Sequence, residues 1–293
     1  MPRTTTGLRS DTASRLADLE RQRPEWQSWI AMLGVAERAL TDEGWHPPLS
    51  ETAVDLSLSR AAADEPLLHG QVLQIDVGRL QRLVRELAST AKSLRAYQPS
   101  EADTLELISA AVRQQGDEIE RLAVESGVGA AALAPVAQLA AVPLLQSCGR
   151  LLEPRIPRSW QHGYCPICAA SPIIAERRGL DRSRRLRCGR CTAEWEVEWL
   201  CCIYCGERKH EQLGSLDPDE RRETLKIETC ETCHGYLKSI ATLQGFPPFE
   251  LLLQDLETVE LDLVALDRGY SRPRDGGFAL DVKIVGHATR RAL

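Results

Sequence analysis

Through the first half of the chain, apolar residues recur at steps of three and four, the spacing that gathers side chains on one face of an α-helix. Leu16 and Leu19 open the pattern, with Ser10-Asp11-Thr12 supplying capping oxygens ahead of them. Pro24 suits an early position of a second helix. There Trp26, Trp29, Ile30, Leu33, Ala36 and Leu40 share a face, and the two tryptophans read as core anchors. Between Thr41 and Ile75 the pattern fades; Pro47-Pro48 breaks the chain, and the Ala-rich piece after it is a candidate short helix. From Asp76 the signal returns, with Val77, Leu80, Leu83, Val84, Leu87, Ala91 and Leu94 in a stripe and Arg82, Glu86 and Lys92 off it. Ser100-x-x-Asp103 is a capping-box pattern ahead of Leu105, Ile108 and Val112. Gly116 marks a stop or bend, and a further short helix carries Ile119, Leu122 and Val124. Gly129 to Leu145, apolar but interrupted by Pro135, Gln138 and Pro143, reads as a buried core helix and not as a membrane span. The sum is an all-helical bundle of five to seven helices over roughly residues 10 to 150.

The rhythm changes at Pro154 and Pro157, which cannot continue a helix. Beyond them Trp195, Val197 and Trp199 alternate with Glu194, Glu196 and Glu198, the pattern of a half-buried strand. Thr224 to Thr229 and Gly235 to Ala241 are further strand candidates, and Leu213 to Pro218 reads as a loop. After Pro247-Pro248, Phe249 to Arg268 reads as one amphipathic helix that Gly269 ends, and Phe278 to Val285 is briefly strand-like. The expected fold class is therefore α+β. Residues 1–155 form a helical bundle domain, 156–245 a tandem cysteine-bearing part, and 246–293 a C-terminal helix and loosely ordered tail.

Nine of the ten cysteines lie between positions 165 and 233, eight of them in four Cys-x-x-Cys pairs: Cys165/Cys168, Cys188/Cys191, Cys202/Cys205 and Cys230/Cys233. Such a turn makes two sulfurs converge, and two turns supply the four ligands of a tetrahedral site. The first two pairs have zinc-ribbon spacing, C-x2-C-x19-C-x2-C; the last two enclose a longer insert. Sequential pairing gives site one as Cys165, Cys168, Cys188 and Cys191, and site two as Cys202, Cys205, Cys230 and Cys233. Cross-braced pairing is the alternative. Four thiolates accept iron or zinc alike. His162, His210 and His234 are close enough in sequence to replace a sulfur, but eight cysteines already fill two sites. Cys201 is a spare thiol or, with a shifted turn, a ligand; Cys148 reads as a small buried hydrophobe.

Composition narrows the function. With 43% hydrophobic and 27% charged residues the chain is an ordinary globular protein, and its net charge of −6 gives no global attraction to nucleic acid or anionic membranes. The N-terminal residues show no apolar stretch of the secretory kind, so a cytoplasmic protein with reduced thiols is expected. Seven arginines between positions 177 and 190 (Arg177, Arg178, Arg182, Arg184, Arg185, Arg187 and Arg190) could grip phosphates, which makes a zinc-ribbon nucleic-acid binder one alternative reading. The plainer reading is a solvated loop answered by the glutamates near Trp195. A thiol-disulfide oxidoreductase is a second alternative, but it needs a βαβ context for its Cys-x-x-Cys that is absent here. Gly127-Val-Gly129-Ala-Ala-Ala132 loosely fits a dinucleotide-binding fingerprint but follows a helical pattern instead of a strand. A closed four-sulfur site serves structure or electron transfer, so enzymatic activity is not expected.

The order CPIC (165 to 168), CGRC (188 to 191) followed by EW, CIYCG (202 to 206), CETCHGYLK (230 to 238) and DLETVELDLVALDRGYSRP (255 to 273) resembles the formate dehydrogenase accessory protein family, FdhE. RLADLERQRPEWQSWIAMLGVAERAL (15 to 40) is similar to that family's opening helices. The resemblance implies a helical N-terminal domain and two rubredoxin-like modules, each with four cysteines around iron or zinc. It also implies a cytoplasmic, non-enzymatic role in maturing formate dehydrogenase by contact with its catalytic subunit; the residues themselves make nucleic acid the lesser partner and give no membrane insertion. Carried over by position, the eight paired cysteines are the metal ligands. Two departures stand out: Ala169 follows the first pair where the family tends to have Gly, which bears on knuckle geometry, and the arginine segment is heavy.

Overall fold

A computed structural model describes residues 5–42, 44–45, 49, 64–218, 224–273 and 277–287. The Ala-rich piece after Pro47-Pro48 lies outside them. The chain forms two compact units that interleave in sequence: residues 1–48, 72–145 and 283–293 make one, and 49–71 with 146–282 the other.

The first unit is mainly helical. α1 (Thr5–Gln22) runs straight through Ser10-Asp11-Thr12, so the helix begins ahead of the expected start. After a 3-10 turn at Pro24–Trp26 comes α2 (Gln27–Leu40), which buries Ile30, Met32, Leu33, Val35 and Ala36. Its tryptophans depart from the expectation: Trp26 is half-buried under Arg23 and Trp29 is 45% exposed, because the buried face centres on Leu33 and Ala36 and leaves Trp29 at its margin. α3 (Val77–Thr90) buries Val77, Leu80, Leu83, Val84 and Leu87, with Asp76 capping it through the Arg79 N–H. α4 (Glu101–Arg113) starts in a full capping box: the Ser100 hydroxyl accepts from Asp103 N–H at 3.1 Å, and the Asp103 carboxylate accepts from Ser100 N–H at 2.9 Å. α5 (Gly116–Glu125) follows, and Gly127 (φ 66°) turns the chain toward α6 (Ala130–Leu152). The Gly127–Ala132 stretch thus joins two helices and offers no dinucleotide fold. α6 is long and apolar enough to cross a membrane by composition, yet 72% of that window is buried inside the protein. One strand pair was not anticipated: β1 (Gln71–Asp76), which alternates buried Leu73 and Ile75 with exposed Val72 and Gln74, pairs with the late strand Val282–His287.

In the second unit the four cysteine pairs alternate with strands. β2 (Ile174–Arg178) and β3 (Ser183–Arg187) form an antiparallel hairpin continued by β4 (Glu194–Glu196). β5 (Leu213–Leu216), β6 (Leu225–Cys230) and β7 (Tyr236–Thr242) repeat that arrangement. β2 and β7 then pair in parallel, so two three-stranded ribbons stand side by side in one sheet of order β4-β3-β2-β7-β6-β5. The segment expected as an arginine loop is the β2–β3 hairpin, and the one expected as a loop at Leu213 is strand β5. The helical cover beyond Pro247 is two helices, α7 (Pro248–Glu257) and α8 (Val259–Asp267), broken at Thr258. Leu251, Leu261 and Ala265 from them pack on Ile174, Leu225, Ile227, Tyr236 and Ile240. β8 (Val282–His287) closes the described chain.

Candidate metal centres

All four Cys-x-x-Cys pairs fold as the same knuckle. The Cys165 N–H donates to the Ala170 carbonyl at 2.8 Å while the Ala169 N–H donates back to Cys165 at 3.0 Å. Cys188 repeats this with Ala193 and Thr192, and Cys202 with Glu207 and Gly206; Cys230 donates to Gly235 at 3.0 Å. Closing so short a loop forces the residue after the second cysteine into left-handed backbone. Its φ is 61° at Ala169, 65° at Thr192, 75° at Gly206 and 53° at His234. A side chain there costs roughly 1–2 kcal/mol. Ala169 therefore leaves the knuckle geometry intact and carries strain in its place.

The sulfurs gather in sequential pairs. The Sγ atoms of Cys165, Cys168, Cys188 and Cys191 all lie within 4.8 Å of one another, as do those of Cys202, Cys205, Cys230 and Cys233. Cys165 and Cys191 are 3.4 Å apart, Cys168 and Cys188 3.5 Å, Cys202 and Cys233 3.6 Å, Cys205 and Cys230 3.7 Å. Thiolates about 2.3 Å from a tetrahedrally held ion would be about 3.8 Å apart, whereas a disulfide needs about 2.05 Å. The donor set thus fits a metal ion and not a bridge. The N–H groups of Ile167 and Arg190 point at Cys165 and Cys188 sulfurs, each at 3.4 Å. Without a cation, burial pushes the Cys165 and Cys191 thiols well up; in Cys188 burial is outweighed by hydrogen bonds from the other three cysteines, which hold it down.

The sites differ in exposure. Every cysteine of site one has no exposed surface. Its second knuckle is so tightly seated that a Cβ at Gly149 would fall 2.1 Å from the Cys191 carbonyl oxygen. Cys148 is fully buried near Cys168, as expected of a small buried hydrophobe, and burial pushes its thiol up to about 12. In site two Cys202 and Cys230 are buried but Cys205 and Cys233 reach solvent. Cys201 belongs to neither cluster; its thiol donates to the Cys202 carbonyl at 3.5 Å. The three histidines also stay out: His162 stacks on Tyr164 and meets Asp64 at 3.3 Å, His210 sits by Glu211 on the surface, and His234 makes the fourth turn.

Four of the seven arginines make ion pairs with glutamates. Arg178 and Arg187 both pair with the fully buried Glu176, which also accepts the Phe246 N–H at 3.1 Å. Arg178 reaches Glu194 at 2.8 Å, Arg185 reaches Glu196 at 3.0 Å, and Arg184 pairs with Glu228. The expected answering glutamates are present, but the setting is a half-buried sheet face instead of a solvated loop. Cations committed this way are poor phosphate ligands, which weakens the nucleic-acid alternative.

A second charged cluster escaped the sequence reading. Lys238 on β7 is completely buried, with its ammonium 2.7 Å from Asp255 and 2.8 Å from Asp262. Arg272 contacts the same two carboxylates at 3.1 and 2.7 Å and lies over the Tyr236 ring, whose hydroxyl donates to Asp262 at 2.9 Å. These contacts hold α7 and α8 to the second ribbon. The seven-residue interval between Asp255 and Asp262 was the available signal, but only the fold supplies their partner.

Residues 200–276 match the family model described as FdhE, C-terminal domain. A protein FdhE homolog of Stutzerimonas stutzeri is 38% identical over 111 residues, 37% of this chain and 35% of that protein. Protein FdhE of Escherichia coli (strain K12 / DH10B) is 32% identical over 117 residues, 38% of this chain and 36% of that protein. The matched stretches span just over a third of these curated relatives. The crystal structure of the FdhE protein from Pseudomonas aeruginosa shares the fold with a TM-score of 0.57 at 22% identity, covering 92% of this chain and 94% of that one. Domain match, sequence relatives and shared fold point the same way: residues 200–276 are similar to the FdhE C-terminal domain, and the chain as a whole shares the fold of an FdhE protein.

Proposed function

We propose that this protein is a cytoplasmic, non-enzymatic accessory factor in the maturation of formate dehydrogenase and works by contacting that enzyme's catalytic subunit. What carries the reading is the pair of four-sulfur clusters set in an FdhE-like fold. Cys165, Cys168, Cys188 and Cys191 would hold one ion, iron or zinc, and Cys202, Cys205, Cys230 and Cys233 a second. A bound ion would supply cross-linking of the ribbons or, if iron, one-electron exchange, and with four sulfurs it leaves no position for substrate water. The chain's own residues do the rest. The knuckle N–H groups stabilise thiolates, the Glu176 and Lys238 clusters fix the sheet and its helices, and the exposed sulfurs of site two face a partner.

The test is to purify the tagged chain from its native cells, identify what is retained and measure metal in the same sample. About two equivalents of metal together with the catalytic subunit is the expected result. Absence of that subunit, with full formate dehydrogenase activity in cells whose only copy carries Cys205→Ser, would overturn the reading.

A further inference from the structure

The chain passes from site one to site two through residues 197–201, which lead from β4 straight into the Cys202–Cys205 knuckle. Apolar packing does little to hold this linker: Trp199 is 47% exposed and Leu200 66%. The alternating pattern places Trp199 in a half-buried strand, but β4 ends at Glu196, and the register that buries Trp195 and Val197 lapses before the second ring. Open space adjoins the linker and the knuckle, as a cavity of about 370 Å³ toward Gln161 and Arg208 and a groove of about 400 Å³ toward β5, β6 and β7.

Polar contacts hold the linker instead, and they converge on Arg184. This side chain lies on β3 and is 3% exposed. One terminal nitrogen donates to the Glu198 carbonyl at 2.8 Å and to the Cys201 carbonyl at 3.1 Å, while the other pairs with the Glu228 carboxylate. Every end of this fork abuts a sulfur site. β3 runs into Cys188 of site one, Cys201 immediately precedes Cys202 of site two, and Glu228 on β6 stands two positions before Cys230. A backbone contact supports the same knuckle: a Cβ on Gly163, two positions before Cys165, would fall 1.6 Å from the Ile203 carbonyl oxygen. Gln161 adds to it by accepting the Glu198 N–H at 3.2 Å. The segment that enters site one thus bears directly on the loop that carries Cys202 and Cys205. A planar guanidinium aims its donors at fixed angles, so it sets the spacing between the linker and β6; an ammonium is a point charge and does not.

We infer that Arg184 is a positioning residue for site two and couples the two metal sites. An ion in site one pins the end of β3 at Cys188, and Arg184 then holds the third knuckle where the Cys202 sulfur meets those of Cys230 and Cys233. Filling either site raises the affinity of the other by the same factor, because coupling between binding free energies is reciprocal. This coupling requires both clusters to bind metal and is independent of the partner protein.

The experiment exposes the reduced, metal-stripped, full-length chain to buffered concentrations of free Zn²⁺. Occupancy of site two is read as protection of Cys205 and Cys233 from alkylation, mapped by peptide, and Co²⁺ absorption checks four-sulfur geometry. Four chains close a cycle: unmodified, Cys168→Ser, Arg184→Gln and the double variant. Cys168→Ser should weaken site two at least about fivefold, the lower end of allosteric couplings, and Arg184→Gln should do the same. Once Arg184 is replaced, Cys168→Ser should have less than about a twofold further effect, where independent contributions would multiply. Arg184→Lys keeps a cation opposite Glu228 without the fork; it guards against a failure to fold and should show the same loss of coupling. Arg185→Gln, which removes the ion pair to Glu196 on the same strand, should leave the coupling intact. A site two that ignores Cys168→Ser, or a response that survives in both Arg184 variants, overturns the inference and leaves the metal reading standing. No uptake of either metal by the unmodified chain overturns the metal reading and this inference with it.

Discussion

Site one and site two are built from the same knuckle, yet one is sealed and the other open. In site one all four sulfurs are buried, and Gly149 lets the backbone press onto the second knuckle. In site two, Cys205 and Cys233 reach solvent, the tip residues Glu231 and Thr232 are exposed, and Gly206 has no neighbour within 4 Å of where a Cβ would be. Ligand identity is the same, so any difference in behaviour must come from the surroundings. A buried site would lose a bound ion only when the ribbon opens, whereas an open one could be attacked in place.

The largest effect should come from removing a sulfur on each side of this comparison. Cys168→Ser is expected to eliminate one metal equivalent and lower the unfolding midpoint by about 10 °C, since metal binding in a sealed site is folding free energy. Cys205→Ser should also cost one equivalent but shift the midpoint by less than half as much, read by metal analysis and thermal unfolding. Equal shifts would mean that exposure does not separate the sites.

Next in size is the cover of the second ribbon. Lys238→Met leaves Asp255 and Asp262 with Arg272 as the cation they share, and breaking a buried charge cluster typically costs about 3–5 kcal/mol. Denaturant unfolding measures this. A loss below about 1 kcal/mol would show that water reaches the cluster and that the cover of site two is looser than its geometry indicates.

Chelator challenge gives a smaller, kinetic contrast. Site two should release its ion about tenfold faster than site one, the factor that about 1.4 kcal/mol of protection represents. Alkylation followed by peptide mapping should then mark Cys205 and Cys233 ahead of the other paired cysteines. Cys148 should stay unmodified until the protein unfolds, because burial keeps it a thiol.

The smallest effect probes the knuckles themselves. Ala169→Gly should stabilise site one by about 1 kcal/mol by relieving its left-handed strain, and Gly206→Ala should destabilise site two by a similar amount. Stability that does not respond at either position would show that the turn tolerates both residues alike.

Much of this architecture was legible in the sequence because it is local. The three- and four-residue apolar steps located α3 and α4, and a long apolar stretch located α6; Ser100 and Asp103 marked a capping box that forms as written. The Cys-x-x-Cys spacing foretold four turns, since a four-residue loop admits few conformations. Where the reading failed, the deciding partner was distant. β5 read as a loop because Gly214 and Ser215 have poor strand propensity, and it is a strand because β6 pairs with it. β1 gave no clear signal because its partner is more than two hundred positions away. The arginine segment looked like a solvated loop because Glu176, Glu194 and Glu228 each find an arginine on another strand, which the chain order does not show. Phe249 to Arg268 looked continuous because nothing in its periodicity registers the break at Thr258, whose hydroxyl bonds back to the Gln254 carbonyl at 2.6 Å.

The sequence by itself determined that eight cysteines would form four two-sulfur turns, since a cysteine three positions from another in a tight loop can place its sulfur nowhere else. It did not determine which turns would meet, how exposed each cluster would be, or where the arginines and Lys238 would find their counter-charges. Those were decided by the parallel pairing of β2 with β7, which sets the two ribbons edge to edge. They were decided too by the docking of α7 and α8 on one face of the sheet, which leaves the groove beside site two open on the other. Spacing fixes what a short loop can do; exposure and charge pairing depend on surfaces that come together only when distant segments pack.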